Sequence, residues 1–221
     1  MKLLLGVMSC LRDRVSQQID RETWLQNCPI DYKFFLGNPE FNFNTTPDRI
    51  TCPATDELIL HLSPDDTRGG WHKIRALTQW AISQRYDYLF KCDVDTYVCV
   101  LRLLRSGFEQ HDYVGPYGGA GYWLSRRAMD ILSKSEYIAG LGEDGWVEAS
   151  LSAAGIQPFR DARYGGGPVA GGGFWGNGGS GVAGPTLQND VITVHHHDGI
   201  LDSPVRITQL RRYHELAKGI I

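Results

Sequence analysis

The chain is predicted to fold as an α/β domain on a mostly parallel sheet. Three observations carry that expectation. Apolar runs of strand length alternate with amphipathic stretches through the first half of the chain, the pattern of helices packed on parallel strands. The run Lys2 to Met8, KLLLGVM, is almost continuously apolar, as a central strand covered on both faces requires. The stretch Tyr86 to Val100, YDYLFKCDVDTYVCV, leads from a buried strand into two carboxylates, Asp93 and Asp95. That is the end at which α/β sheets bind ligands.

The elements follow in order. Ser9 to Arg14 is a polar loop at the carboxyl end of the first strand. Arg14 to Leu25 sets Val15, Ile19, Trp24 and Leu25 among charges, an amphipathic helix ended by Asn27-Cys28-Pro29. Asp31 to Leu36 is the second strand and Leu58 to Leu62 the third, with a loop rich in asparagine, threonine and proline between them. Trp71 to Gln84 is the clearest helix, since Trp71, Ile74, Leu77 and Ala81 recur at spacings of three and four. Leu101 to Ser106 reads as a helical turn, and Tyr122 to Leu124 as a short strand after the tract Gly118 to Gly121. Ser125 is placed to cap a helix running from Arg126 towards Ser135. Glu143 opens another helix that ends near Ala154, with Gly155 as its stop. Tyr164 to Pro185 holds eleven glycines, too many for a helix or strand, and reads as a long loop carrying Phe174 and Trp175. Val191 to Val194 is a β-branched strand running into His195-His196-His197, and Val205 to Lys218 is an arginine-rich helix.

Composition narrows the function. At 221 residues the chain is long enough for a substantial core. A hydrophobic fraction of 42% with 21% charged residues suits a globular domain. The net charge of −3 gives no basic field, so nucleic acid is not an expected partner. No run has the length of a transmembrane segment, and Arg12 to Arg14 interrupt the amino-terminal apolar run too early for a signal peptide. The five cysteines include no CxxC pair and read as mostly buried, reduced thiols of a cytosolic protein.

Asp93 and Asp95, one residue apart on an extended chain, are expected to point to the same side. Hard oxygen donors there suit Mg²⁺ or Mn²⁺ against a diphosphate, although Asp after a strand is also an ordinary turn former. Glu143-Asp144 at a helix start is favoured by the helix dipole alone, or marks acid–base chemistry. His195 and His197 lie on one face of an extended strand and His196 on the other, so His195 with a carboxylate makes a half-site for Mn²⁺. Trp123 and Trp146 read as core aromatics first and as sugar-stacking surfaces second.

Several blocks resemble a known family when taken in order. Arg21-Glu22-Thr23-Trp24 is similar to an early R-x-T-W, and Asp65-Asp66-Thr67 with Lys73 and Trp80 to a D-S-Y…K…W segment. Lys91-Cys92-Asp93-Val94-Asp95 resembles K-T-D-x-D, and Tyr117 to Ser125 resembles Y-C-S-G-x-G-Y-V-x-S. Glu143-Asp144-Gly145-Trp146-Val147 looks like E-D-V-x-V, and Val191 to His195 like the block that supplies a metal-binding histidine. The family is glycosyltransferase family 31, the β-1,3-galactosyltransferase and Fringe-like enzymes of A-type nucleotide-sugar transferase fold. Gly145 departs from the bulky residue usual after Glu-Asp, and the membrane anchor and disulfides of the animal enzymes have no counterpart. A cytoplasmic bacterial or viral relative is therefore expected.

The resemblance implies a single glycosyltransferase domain, with residues 1–100 as the nucleotide-binding half and 101–221 as the acceptor-side half. It implies inverting, metal-dependent transfer of a hexose from a UDP-sugar to a hydroxyl of a glycan or glycoconjugate, in β-1,3 linkage. Asp95 and His195, with Asp93 nearby, would hold Mn²⁺ or Mg²⁺; Asp144 would be the general base. Arg12, Arg21, Lys73, Asp93, Val94, Gly119 and Gly121 are the expected donor-binding positions. Glu143 and Trp146 are expected on the acceptor side, and Phe174 and Trp175 belong to a lid or to an ordinary surface loop. The arginine-rich final helix leaves peripheral contact with an anionic membrane open, beside the ordinary reading of a solvated face. Two other function classes remain: a non-catalytic carbohydrate-binding protein on a decayed transferase fold, and a sugar nucleotidyltransferase.

Overall fold

A computed structural model describes residues 1–41, 50–66, 70–115, 120–161, 163–164, 191–195 and 204–218. Seven strands form one sheet: β1 (Leu3–Met8), β2 (Asp31–Asn38), β3 (Ile50–Thr51), β4 (Glu57–Pro64), β5 (Tyr88–Asp93), β7 (Tyr113–Val114) and β8 (Tyr122–Ser125). Their order is β3-β4-β2-β1-β5-β8-β7. The four central strands are parallel, and β3, β8 and β7 add antiparallel edges. The expected α/β class and mostly parallel sheet are therefore present. The edge strand β3 falls in what the sequence presents as loop, and two residues are too short to print a periodic signal.

The helices are α1 (Arg14–Glu22), α2 (Gly70–Ser83), α3 (Val100–Leu104), α4 (Arg126–Leu132), α5 (Glu143–Ala153) and α6 (Pro204–Lys218). Ser125 caps α4 as expected, its Oγ accepting from the Ala128 amide at 3.2 Å. Gly155, at φ +79°, ends α5. The predicted first helix stops at Glu22, before Trp24 and Leu25. Its buried face is Ser16, Gln17, Ile19 and Asp20, whereas Val15 is exposed. A helix that buries polar groups must satisfy them. Gln17 Nε2 accordingly donates to Ser9 Oγ and to the Cys10 carbonyl, both at 2.8 Å, which fixes the loop after β1.

Each face of the sheet has its own core. One contains Leu5, Val7, Phe34, Phe90, Cys92 and Val94 with residues of α1 and α6. The other contains Leu4, Phe35, Leu89, Tyr122 and Leu124 with residues of α2, α4 and α5. Alternation along β5 explains the division: Phe90 and Cys92 face the first core, Leu89 the second. A two-stranded ribbon, β6 (Thr96–Val98) with β9 (Thr193–His195), lies beyond β5 and pairs Thr96 with His195. All five cysteines are free, with Cys10, Cys92 and Cys99 buried. No helix among the described residues is long and apolar enough to cross a membrane.

Candidate active site

The chain leaves β1 towards β2 on one side and returns on the other side as β5, so the carboxyl ends of β1 and β5 flank the point where strand order reverses. In open α/β sheets that crevice is the ligand site. Met8, the last residue of β1, is in register with Asp93, the last of β5. The loop after β1 and the end of β2 are tied together beside it by Asp65, which follows β4. Its carboxylate accepts from the Leu11 amide at 2.7 Å and from the Gly37 amide at 2.9 Å. Burial raises the Asp65 carboxyl, and these amides, with Lys73 and Arg12, offset part of that rise. Lys73, almost fully buried on α2, donates to the Ser9 carbonyl at 2.9 Å. Burial lowers its ammonium from the ordinary lysine range, against the pull of Asp65, Cys10 and Asp93. Arg12 stands exposed on the same loop.

The centre of the cluster is Lys91, a residue that the sequence offers only as part of a motif. It lies on β5 between Leu89 and Asp93 and is completely buried. Its Nζ is 2.8 Å from Asp93 Oδ1 and 2.8 Å from Glu143 Oε2. Burial opposes its charge, but the carboxylates of Asp93, Glu143 and Asp144 outweigh burial and hold the ammonium above its usual range. Glu143 also accepts a hydrogen bond from the Tyr122 hydroxyl. Burial pushes the Glu143 carboxyl up to about 8; Lys91 pulls it down, while Asp144 and Asp93 add to the rise. Asp144 follows at the first turn of α5 and is half-buried. Strand end and helix start, with Lys91 and Glu143 lying 52 residues apart in sequence, therefore meet through one lysine.

The two aspartates do not stay on one side as an extended chain would keep them. A turn at Val94–Asp95 redirects the backbone. Asp93 remains with Lys91 on the α2 and α5 face, whereas Asp95 lies 3.3 Å from His195 Nδ1. Thr96 Oγ1 is 3.0 Å from the same nitrogen. Behind Asp95 lies Asp20, fully buried on α1, with Trp24 Nε1 donating to it at 2.8 Å. Burial holds the Asp20 carboxyl well above its usual range; the Trp24 bond opposes that rise, and Asp95 and Asp13 add to it. Among the described residues no three acidic, histidine or cysteine side chains converge as a metal-holding group. The two that do approach fit one half of a site, since neighbouring ligands on an octahedral ion at about 2.1 Å stand roughly 3 Å apart.

Other expected positions fall elsewhere. Arg21 is engaged by Asp56 at 2.7 Å and Glu57 at 3.0 Å and stacks on Phe34, so its charge serves the fold. The Val94 side chain is buried in the α1-side core and offers a donor nothing but its backbone. Gly121, at φ +100°, is glycine because a Cβ would meet Phe90 Cζ at 2.4 Å. Its missing side chain lets β8 close on β5. Trp146 and Trp123 are wholly buried, so Trp146 cannot meet an acceptor. Gly119, Phe174 and Trp175 lie outside the described residues.

No family model matches the chain, and no curated protein does. Among solved structures it is similar to a candidate nucleotide-diphospho-sugar transferase from Desulfovibrio desulfuricans G20, with 10% identity over 73% of this chain and 80% of that one, at a TM-score of 0.46. It is also similar to A197 from STIV, with 12% identity over 73% of this chain and 82% of the other, at a TM-score of 0.39. At such identities and scores neither likeness bears on what this chain does.

Proposed function

We propose that the chain is a glycosyltransferase that moves a hexose from a UDP-sugar to a hydroxyl of a glycan or glycoconjugate, with inversion and in β-1,3 linkage. One observation carries the reading. The buried Lys91 joins Asp93 at the switch-point crevice to the Glu143-Asp144 helix start, each at 2.8 Å. Two carboxylates are thus gathered on one cation at the end of the sheet where a nucleotide would lie, with Asp144 next to Glu143 in the chain. A structural ion pair does not need the second of them.

In this reading Asp95 and His195 would hold Mn²⁺ or Mg²⁺, which supplies charge neutralisation for the leaving diphosphate. Arg12 would face the phosphates from the β1 loop, which Lys73 holds in place from α2 through the Ser9 carbonyl. Asp144 takes the proton of the acceptor hydroxyl as its oxygen forms a bond to the anomeric carbon and the bond from that carbon to UDP breaks. Lys91 and Tyr122 hold Glu143, and so fix the turn that presents Asp144. The test is calorimetric titration with UDP, with and without Mn²⁺, on the native protein and on Asp95→Ala. The expected result is binding that requires both Mn²⁺ and Asp95. Absence of UDP binding in the presence of metal overturns the reading.

A further inference from the structure

Trp146 is wholly buried, and what covers it is an aromatic stack. Trp71, on the first turn of α2, lies 5.8 Å from the Trp146 ring. His72 packs on Trp71 at 3.7 Å between centroids, and Tyr137 stacks on it at 5.0 Å with an interplanar angle of 25°. The Trp146 indole donates to the Glu136 carbonyl at 2.7 Å, which pins the loop that carries Tyr137. Tyr137 is nevertheless 48% exposed, and Ile138 beside it 39%. The stack adjoins the acidic pair: Gly70, the residue before Trp71, packs so closely on Glu143 that a Cβ there would stand 2.9 Å from the Glu143 Cβ. On the far side of the loop, Cβ atoms added at Gly140 and Gly142 would meet nothing within 4 Å.

We propose that Tyr137, backed by Trp71, is the platform on which a sugar ring of the acceptor glycan stacks, next to Asp144. A ring held from behind by another ring keeps its orientation, so it offers apolar area without losing rotamer freedom on binding. The apolar C–H face of a pyranose matches such a surface, and carboxylates close by accept its hydroxyl protons. The exposed Tyr137 and Ile138 have a ligand of this kind as a reason for being apolar; the buried Trp146 does not. This inference rests on the transferase reading for the identity of its ligand as an acceptor.

Saturation-transfer NMR tests it, with methyl β-galactoside, methyl β-glucoside and methyl N-acetyl-β-glucosaminide as probes. The proteins are the native chain, Tyr137→Phe and Tyr137→Ala, each titrated in parallel with UDP. Saturation should reach the face protons of at least one glycoside in the native protein and in Tyr137→Phe. Affinity for that glycoside should fall roughly tenfold in Tyr137→Ala, as expected for the loss of one stacked ring, with UDP affinity unchanged. Glycosides that give no transfer, or that bind Tyr137→Ala as well as the native chain, overturn the platform while UDP binding leaves the transferase reading standing. Glycoside binding that depends on Tyr137 without any UDP binding keeps the sugar platform and removes the transfer.

Discussion

Each face of the sheet buries a cation paired with a carboxylate near the candidate site, Lys91 on one and Arg206 on the other, and these two are used differently. On the α2 and α5 face, Lys91 bridges two carboxylates that belong to different halves of the chain. On the α1 and α6 face, Arg206 of α6 pairs with Asp13 of the β1 loop at 3.0 Å, both almost fully buried. The first cation lies inside the set of residues assigned to chemistry; the second fastens a loop that borders it. A buried ion pair is weak evidence of stabilisation in itself, because desolvation offsets most of its attraction, yet removing one partner is severe. The contrast is therefore between a charge that organises a site and a charge that secures a scaffold.

The largest expected effect is that of Lys91→Met. It leaves the buried Glu143 and the partly exposed Asp93 without their cation and should lower stability by about 3 kcal/mol, read as the shift of the urea midpoint. If Glu143→Gln in the same chain restores most of that loss, the bridge is confirmed as the cause. Arg206→Met should cost about 3 kcal/mol by the same mechanism. Its partner change is Asp13→Asn, and the double variant should recover most of the loss in the same denaturation. UDP binding separates the faces: it should fail in Lys91→Met even where the protein is folded, and survive in the Asp13→Asn, Arg206→Met double variant.

A pH effect comes next. Burial, with Asp144 and Asp93, raises the native Glu143 carboxyl against the pull of Lys91, so it binds a proton more tightly than the unfolded chain, whose ordinary value is 4.5. Its contribution to stability is therefore complete below pH 4.5 and lost as pH rises through about 8. Denaturation midpoints measured at pH 5 and pH 9 should differ less in Glu143→Gln than in the native protein. The smallest effect belongs to Gly145→Ala on α5. A Cβ there would meet the Leu141 side chain at 3.5 Å, an ordinary contact. The substitution should stabilise the helix by about 0.5–1 kcal/mol, read as a raised Tm, without changing UDP affinity.

The central strands and the longer helices were legible because each prints a period. Lys2 to Met8 differs from the observed β1 by one residue at its start only, and Trp71 to Gln84 from α2 by one residue at each end. The site was legible where carboxylates stood next to one another, as at Glu143-Asp144. It was not legible where the chain turned: alternation carries Asp93 and Asp95 to one side, and the turn at Val94–Asp95 sends them to opposite faces. Lys91 left a signal that the motif reading passed over. A lysine at an inward position of a buried strand, two residues from Leu89, requires an anionic partner in the core. Helical spacing puts Trp71 on one face with Ile74, Leu77 and Ala81, which reports the face of a helix and not how deep its first turn lies. Tyr137 sits in a loop without period, and its stacking is visible only once α2 and α5 are placed side by side.

The pairing of Asp13 with Arg206 spans 193 residues. During synthesis at about 5–20 residues per second, the aspartate emerges roughly ten to forty seconds before its arginine. Throughout that interval Asp13 is without its Arg206 partner, while the central strands already have neighbours to pair with. A nascent chain can in this way pair its central strands well before α6 arrives to fasten the loop that borders the candidate site.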